Sequence, residues 1–300
     1  MASNLIAVSA DLARLGSRRG ILATLGRARR YPLASLAGLA LFVFTVAAAL
    51  APALSPYDPS AMATGPALSP PGDSHLFGTD RYGRDVLSRI LHGARISMPV
   101  GLLAVSFSAV VGSLLGLATG FFRGTVDTVG SGVIDIMLGF PPIMLALLVI
   151  AALGVGLQNV VIAVGVGGIP RFARIVRGTA LSIRENAYIE AGYALGANRV
   201  RLILRHVLPN ALPPIIVLST LYIGSAILDT SSLGFLGLGV QPPTPEWGTM
   251  LSEGREFMRY APWLMVFPGT MVFVTVVAIN LVGDHLRAAF DPRLQGRYRA

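Results

Sequence analysis

IMLGFPPIMLALLVIAALGVGLQNVVIAVGVGGI, residues 136–169, is a run of 34 almost uninterrupted apolar residues. That is too long for one membrane span and short for two, at about 20 residues each. The next segment of the chain decides between them. From Arg171 to Pro209 it holds seven arginines against two glutamates, and basic loops stay on the cytoplasmic side. One span would place that segment outside; two place it inside. Gly154-Val155-Gly156-Leu157-Gln158-Asn159 supplies the break, which predicts span three over 133–153 and span four over 159–176. Pro170 is expected to kink span four. Arg171, Arg174 and Arg177, three apart on one face, are expected to mark its exit into the cytoplasm, because an arginine at mid-bilayer costs about 2.5–3.5 kcal/mol.

Working outward, Pro32 to Leu54 is an uncharged run of 23 residues and forms span one. Ser17-Arg18-Arg19 resembles an export signal and Ala51-Pro52-Ala53 a cleavage site, but the apolar run exceeds the 7–15 residues of a signal's core. It reads as an uncleaved anchor. Span two covers 98–122 and carries Gly112, Gly116 and Gly120 at i, i+4, i+8, a stripe that another backbone can approach closely. Spans five and six fall at 211–228 and 261–281. Eighteen arginines then lie inside and six outside (Arg81, Arg84, Arg89, Arg95, Arg255, Arg259).

The expected fold is all-α: a polytopic helical protein of the bacterial inner membrane with six spans and both termini cytoplasmic. Its parts are an N-terminal tail (1–31), a first span with its periplasmic segment (32–97), a core of five spans with a cytoplasmic loop at 177–210 (98–286), and a C-terminal tail (287–300).

Composition agrees with this. Hydrophobic residues make up 53% of the 300 and charged ones 13%, about half the charge of a soluble domain. Cysteine is absent, which excludes disulfides and thiol catalysis. His75, His92, His206 and His285 are scattered and never reach metal-ligand spacing, so no metal site is expected. All 24 basic residues are arginine; without lysine the chain cannot build the usual phosphate-cradling Gly-x-x-x-x-Gly-Lys loop. The arginines flank apolar runs and are not interleaved with aromatic residues, which argues against a nucleic-acid surface.

Between spans one and two, Asp80/Arg84 and Asp85/Arg89 stand four apart and predict a short amphipathic helix on the outer surface, fixed by these charges or contacting a delivering protein. The glycine-rich stretch Ser231 to Val240 reads either as a re-entrant turn or as an interfacial loop anchored by Trp247 and Trp263. Asp135, Asp229, Asn280 and Asp284 fall at predicted span ends, where polar residues cost little.

The fourth loop predicts two short helices. Ala187 to Leu195 is ended by Gly196, and Arg199 to Val207 comes next with Val200, Ile203, Leu204 and Val207 on one face. Pro209, Pro213 and Pro214 are expected to separate the second helix from span five. With the carboxylate of Glu190, the small residues Ala191 and Gly192 and a stop at Gly196, the first helix is shaped to lie in a groove of another protein.

Glu190-Ala191-Gly192, Gly196 and Leu208-Pro209 resemble the cytoplasmic "EAA" loop of ATP-binding-cassette (ABC) importer permeases. Gly192 stands where the generic motif has its second alanine, and His206 where isoleucine is frequent. Arg205-His206-Val207-Leu208-Pro209-Asn210, Phe77-Gly78-Thr79-Asp80 through Arg89, and Ser232 to Pro243 are similar to the second permease subunit of dipeptide and oligopeptide importers. The resemblance implies a type I ABC importer permease fold and no enzymatic activity in this chain. It implies a second permease subunit, an extracytoplasmic substrate-binding protein, a peptide substrate, and two cytoplasmic ATPase subunits that hold ATP and magnesium. Ala187, Tyr188, Glu190, Ala191, Gly192, Leu195 and Gly196 would dock an ATPase, supported by Arg205, His206, Leu208, Pro209 and Asn210. Import of nickel or another small solute remains open on the same motifs. A membrane-embedded enzyme would need convergent Ser/His/Asp or His-Glu-x-x-His groups, and a self-sufficient channel a repeated filter; the sequence contains neither.

Overall fold

The structure, a computed structural model, describes residues 32–290, with side chains as far as Arg287. The expected N-terminal tail, its Ser17-Arg18-Arg19 and most of the C-terminal tail lie outside the described residues. The elements in chain order are α1 (Pro32–Ala49), α2 (Ala51–Leu54), α3 (Val86–Phe121), α4 (Thr125–Leu138), α5 (Pro142–Leu153), α6 (Leu157–Arg184), α7 (Ala187–Ala194), α8 (Arg199–Leu202) continuing through a π-helical turn at Ile203–Val207 into α9 (Leu208–Phe235), then α10 (Trp247–Gly254) and α11 (Trp263–Phe290).

Among the described residues, five helical stretches are long and apolar enough to cross a membrane: α1, α3, α6, the α8–α9 unit and α11. The bent pair α4 and α5 passes the same test only when taken together, and makes a sixth span if the two count as one. Span three is therefore not the single helix expected over 133–153. The chain turns by 99° between α4 and α5, at Gly139-Phe140-Pro141. A residue before proline is pushed out of the helical region, and Pro142 is suited to the first turn of a new helix.

The helices pack through small residues, because lipid supplies no hydrophobic drive for one span to leave it for another. The glycine stripe of α3 lies against α6. A Cβ at Gly112 would stand 2.6 Å from the Ile169 carbonyl oxygen, one at Gly116 2.5 Å from that of Ala173, and one at Gly120 2.7 Å from the Ala180 Cβ. Ser108 in α3 donates to the Gly165 carbonyl of α6 at 2.7 Å. Phe121, Phe172, Val176 and Ala180 are buried along this seam, with Tyr222 of α9 closing the same core.

Three further expectations change. Span two begins at Val86 rather than near 98, capped by Asp85, whose carboxylate accepts from the Ser88 amide at 2.8 Å. Pro209, Pro213 and Pro214 do not separate the second loop helix from span five: helix runs through them from Arg199 to Phe235. The π turn lies immediately before Pro209, where the missing proline donor would otherwise break a regular ladder. Finally, α6 continues past the three arginines to Arg184 rather than ending near residue 176, so Arg171 lies at the middle of the helix.

Replacing Gly116 with leucine should force α3 and α6 apart and cost at least about 1–3 kcal/mol. Gly178 lies on the exposed side of α6 with open space around it, so Gly178→Ala should be neutral or stabilising by up to about 1 kcal/mol. Thermal unfolding in detergent measures both, and an unchanged midpoint for Gly116→Leu would refute the close seam.

Candidate functional site

At the end of the bundle that carries the fourth loop, α7 is a helix with one buried side chain. Ile189 is wholly buried, packed into the core that contains Phe121, Ile183, Leu202 and Val207. Burying an isoleucine contributes about 1.5–3 kcal/mol, enough to pin one face of a short helix. The other face is free: Ala187, Tyr188, Glu190, Ala191, Leu195 and Gly196 are exposed, Leu195 at 88%. Glu190 forms no ion pair among the described residues.

The helix ends in a Schellman turn. Ala197 N–H donates to the Gly192 carbonyl at 3.0 Å and Gly196 N–H to that of Tyr193 at 2.9 Å, with Gly196 at φ +79. Gly192 is half-buried, and a Cβ there would stand 2.7 Å from the tip of Leu202. The glycine in place of the motif's alanine thus lets the two loop helices close on each other.

The second half of the motif braces the first. His206, Leu208 and Pro209 are half-buried, while Arg205 and Asn210 are exposed. The His206 ring lies 5.8 Å from that of Tyr188, and Asn210 donates its side-chain amide to the His206 carbonyl at 2.6 Å. Arg184 ties the loop to α3 by donating to the Phe121 carbonyl at 2.7 Å, and the Arg199 guanidinium stands 5.8 Å over Phe122. The residues singled out in the sequence therefore come together as one exposed helix on a braced mount.

The outer end is built differently, and here sequence reasoning missed its centre. The charges of residues 80–89 do not form a surface helix. Arg84 and Arg89 are each 1% exposed and converge on Glu253 of α10, at 3.1 and 2.9 Å. Asp80 pairs with Arg84 and lies 3.8 Å from Arg89. Asp85, expected to face Arg89, meets His75 instead, at 2.9 Å, because its other oxygen is held by the start of α3. Trp247 anchors no interface: it is 1% exposed, and its indole donates to the Ile90 carbonyl at 3.2 Å. Beside it, Glu246 is buried and caps α10, accepting from the Gly248 and Thr249 amides at 2.9 and 2.8 Å and from the Ser97 hydroxyl at 3.0 Å. The first half of Ser231 to Val240 is a continuation of the helix, since α9 carries it to Phe235, and only residues 236–240 form a turn. Glu246, the one charge in the stretch 231–252, was the available signal for its own burial; Glu253, followed by Arg255 and Glu256, carried none.

The described residues thus form a bundle of helices apolar enough to cross a membrane, with one short exposed helix on a braced mount at one end. Residues 112–296 match the family described as "Binding-protein-dependent transport system inner membrane component", and the chain belongs to that family. It is 46% identical over 228 residues to a dipeptide transport system permease protein of Alkalihalophilus pseudofirmus, covering 76% of this chain and 75% of that one. To a glutathione transport system permease protein of Escherichia coli O157:H7 it is 44% identical over 276 residues, covering 90% and 89%. Among solved structures, an inward-facing MetNI methionine ABC transporter matches with a TM-score of 0.55 at 21% identity, over 68% of this chain and 97% of the other. The fold is that of type I ABC importer permeases.

The geometry sets two expected outcomes. Gly196→Ala places a Cβ in the left-handed region, which should cost about 1–2 kcal/mol and speed hydrogen exchange at the Leu195–Ala197 amides; unchanged protection there would contradict the turn described. Glu253→Ala leaves two buried guanidinium groups short of a carboxylate and should destabilise the outer end by about 3–5 kcal/mol, read as a lowered midpoint in thermal unfolding.

Proposed function

We propose that this chain forms, with a second homologous permease subunit, the pathway of an ATP-driven importer of short peptides, and that α7 docks in a cleft of a cytoplasmic ATPase subunit. The single observation behind the docking role is the unpartnered face of α7 around Glu190, held on the same core as α3, α6 and α9 through Ile189. A helix so mounted passes a rotation of its partner to the spans without flexing, which a rigid-body switch requires. Both termini lie in the cytoplasm on the arginine distribution. ATP and magnesium belong to two ATPase partners, since the sequence has no lysine for a phosphate loop, and an extracytoplasmic binding protein delivers the substrate.

The peptide substrate rests on the dipeptide and glutathione permeases to which the chain is similar. Purified with its candidate ATPases and binding protein and placed in vesicles, the assembly should take up short peptides and not nickel. Glu190→Arg puts a cation where the docking face presents a carboxylate and should lower ATPase co-purification and substrate-stimulated hydrolysis at least tenfold. Survival of both assembly and stimulation would refute the docking role.

A further inference from the structure

Of the three arginines spaced along α6, two are matched. Arg174 Nη2 lies 3.1 Å from Asp135 Oδ1, and Arg177 Nη2 lies 2.9 Å from Asp127 Oδ1. Arg171 is exposed and has no carboxylate at ion-pair distance among the described residues; its guanidinium carbon stands 4.9 Å from the centre of the Tyr222 ring. Tyr222 is 3% exposed, and its hydroxyl is buried without a hydrogen-bond partner, a condition few buried polar groups keep. Asp229 lies two turns further along α9 on the same face as Tyr222. It is half-buried, within electrostatic reach of both Arg171 and Tyr222, and makes no ion pair of its own among the described residues.

Arg171, Asp229 and the orphan hydroxyl of Tyr222 thus lie within electrostatic reach of one another, on the two helices α6 and α9. Charged side chains within spans face protein or an aqueous pathway and not lipid. Tyr222 and Asp229 are separated by seven residues, about 10 Å along a helix. An extended peptide covers about 3.3–3.6 Å per residue, so two to three residues bridge that distance. A free peptide carries the complementary charges at its two ends.

We infer that Arg171, Tyr222 and Asp229 form an intramembrane binding site for both termini of a short zwitterionic peptide. The guanidinium and the phenol hydroxyl take the C-terminal carboxylate, and Asp229 takes the α-ammonium group. This inference rests on the reading of the chain as a peptide importer's permease. It also accounts for the order along the path: the carboxylate of Asp229 lies nearer the outer end of α9, and the paired charges of Arg174 and Arg177 lie further inward.

The test uses the complete importer in vesicles with its binding protein, ATP and radiolabelled tri-alanine, measuring uptake and hydrolysis together. Arg171→Gln and Asp229→Asn should each reduce peptide moved per ATP hydrolysed by about tenfold or more. Tyr222→Phe, which keeps the ring beneath Arg171 and removes one oxygen, should reduce it several-fold. Hydrolysis stimulated by the loaded binding protein should persist in all three. Unchanged uptake per ATP would overturn the site while leaving the peptide reading standing; no tri-alanine uptake by the wild type would overturn both. If Arg171→Gln instead releases the second permease subunit during purification, Arg171 serves a subunit contact and the site is overturned.

Discussion

Lipid is as apolar as leucine, so helices within a bilayer gain nothing from hiding their hydrophobic surface from it. What holds this bundle is backbone approach, and its longest run is between α3 and α6. Gly112, Gly116 and Gly120 admit the carbonyls and small side chains of Ile169, Ala173 and Ala180 at distances no Cβ would allow. α9 completes the core by laying Tyr222 edge-on to Phe172, 6.1 Å between ring centres. The two ends of the molecule are hung on this unit, and each end uses a different kind of interaction.

Outside the membrane, water would screen and loosen exposed ion pairs, yet Asp80, Arg84, Arg89 and Glu253 are withdrawn from it almost entirely. Buried charges of this kind contribute little net stability compared with apolar packing, but removing one partner is costly. Their effect is to fix the segment before α3 against α10 in one arrangement. The neutral hydrogen bonds of Trp247 and the caps of Glu246 and Asp85 reinforce that arrangement. At the opposite end the polar groups that brace the loop, Arg184, Arg199 and Asn210, leave the surface of α7 unoccupied. One end closes upon itself; the other presents a face.

Between the two ends, α6 and α9 contain the charges that neither end accounts for. Arg174 and Arg177 are neutralised by α4, which places α4 as a counter-charge element rather than a plain span and fits its separation from α5 by a sharp bend. Helices that carry matched charges on one side and unmatched ones on another give a bundle both a stable wall and a chemically distinct path.

Several elements were readable in the chain alone. The apolar runs showed where the candidate spans fall, because transfer into lipid acts on composition. The glycine spacing at 112, 116 and 120 announced the α3 seam, and Glu190 to Gly196 announced a helix with a glycine stop, since both depend on local periodicity and on φ. Only the tertiary structure decided which charges meet. Arg84 and Arg89 find Glu253 more than 160 residues away, Asp85 turns to His75, helix runs on through three prolines beyond a π turn, and Arg171 comes to stand over Tyr222. The reason is physical: spacing along one helix fixes which residues share a face, whereas the partner of a buried charge is fixed by how separate helices pack.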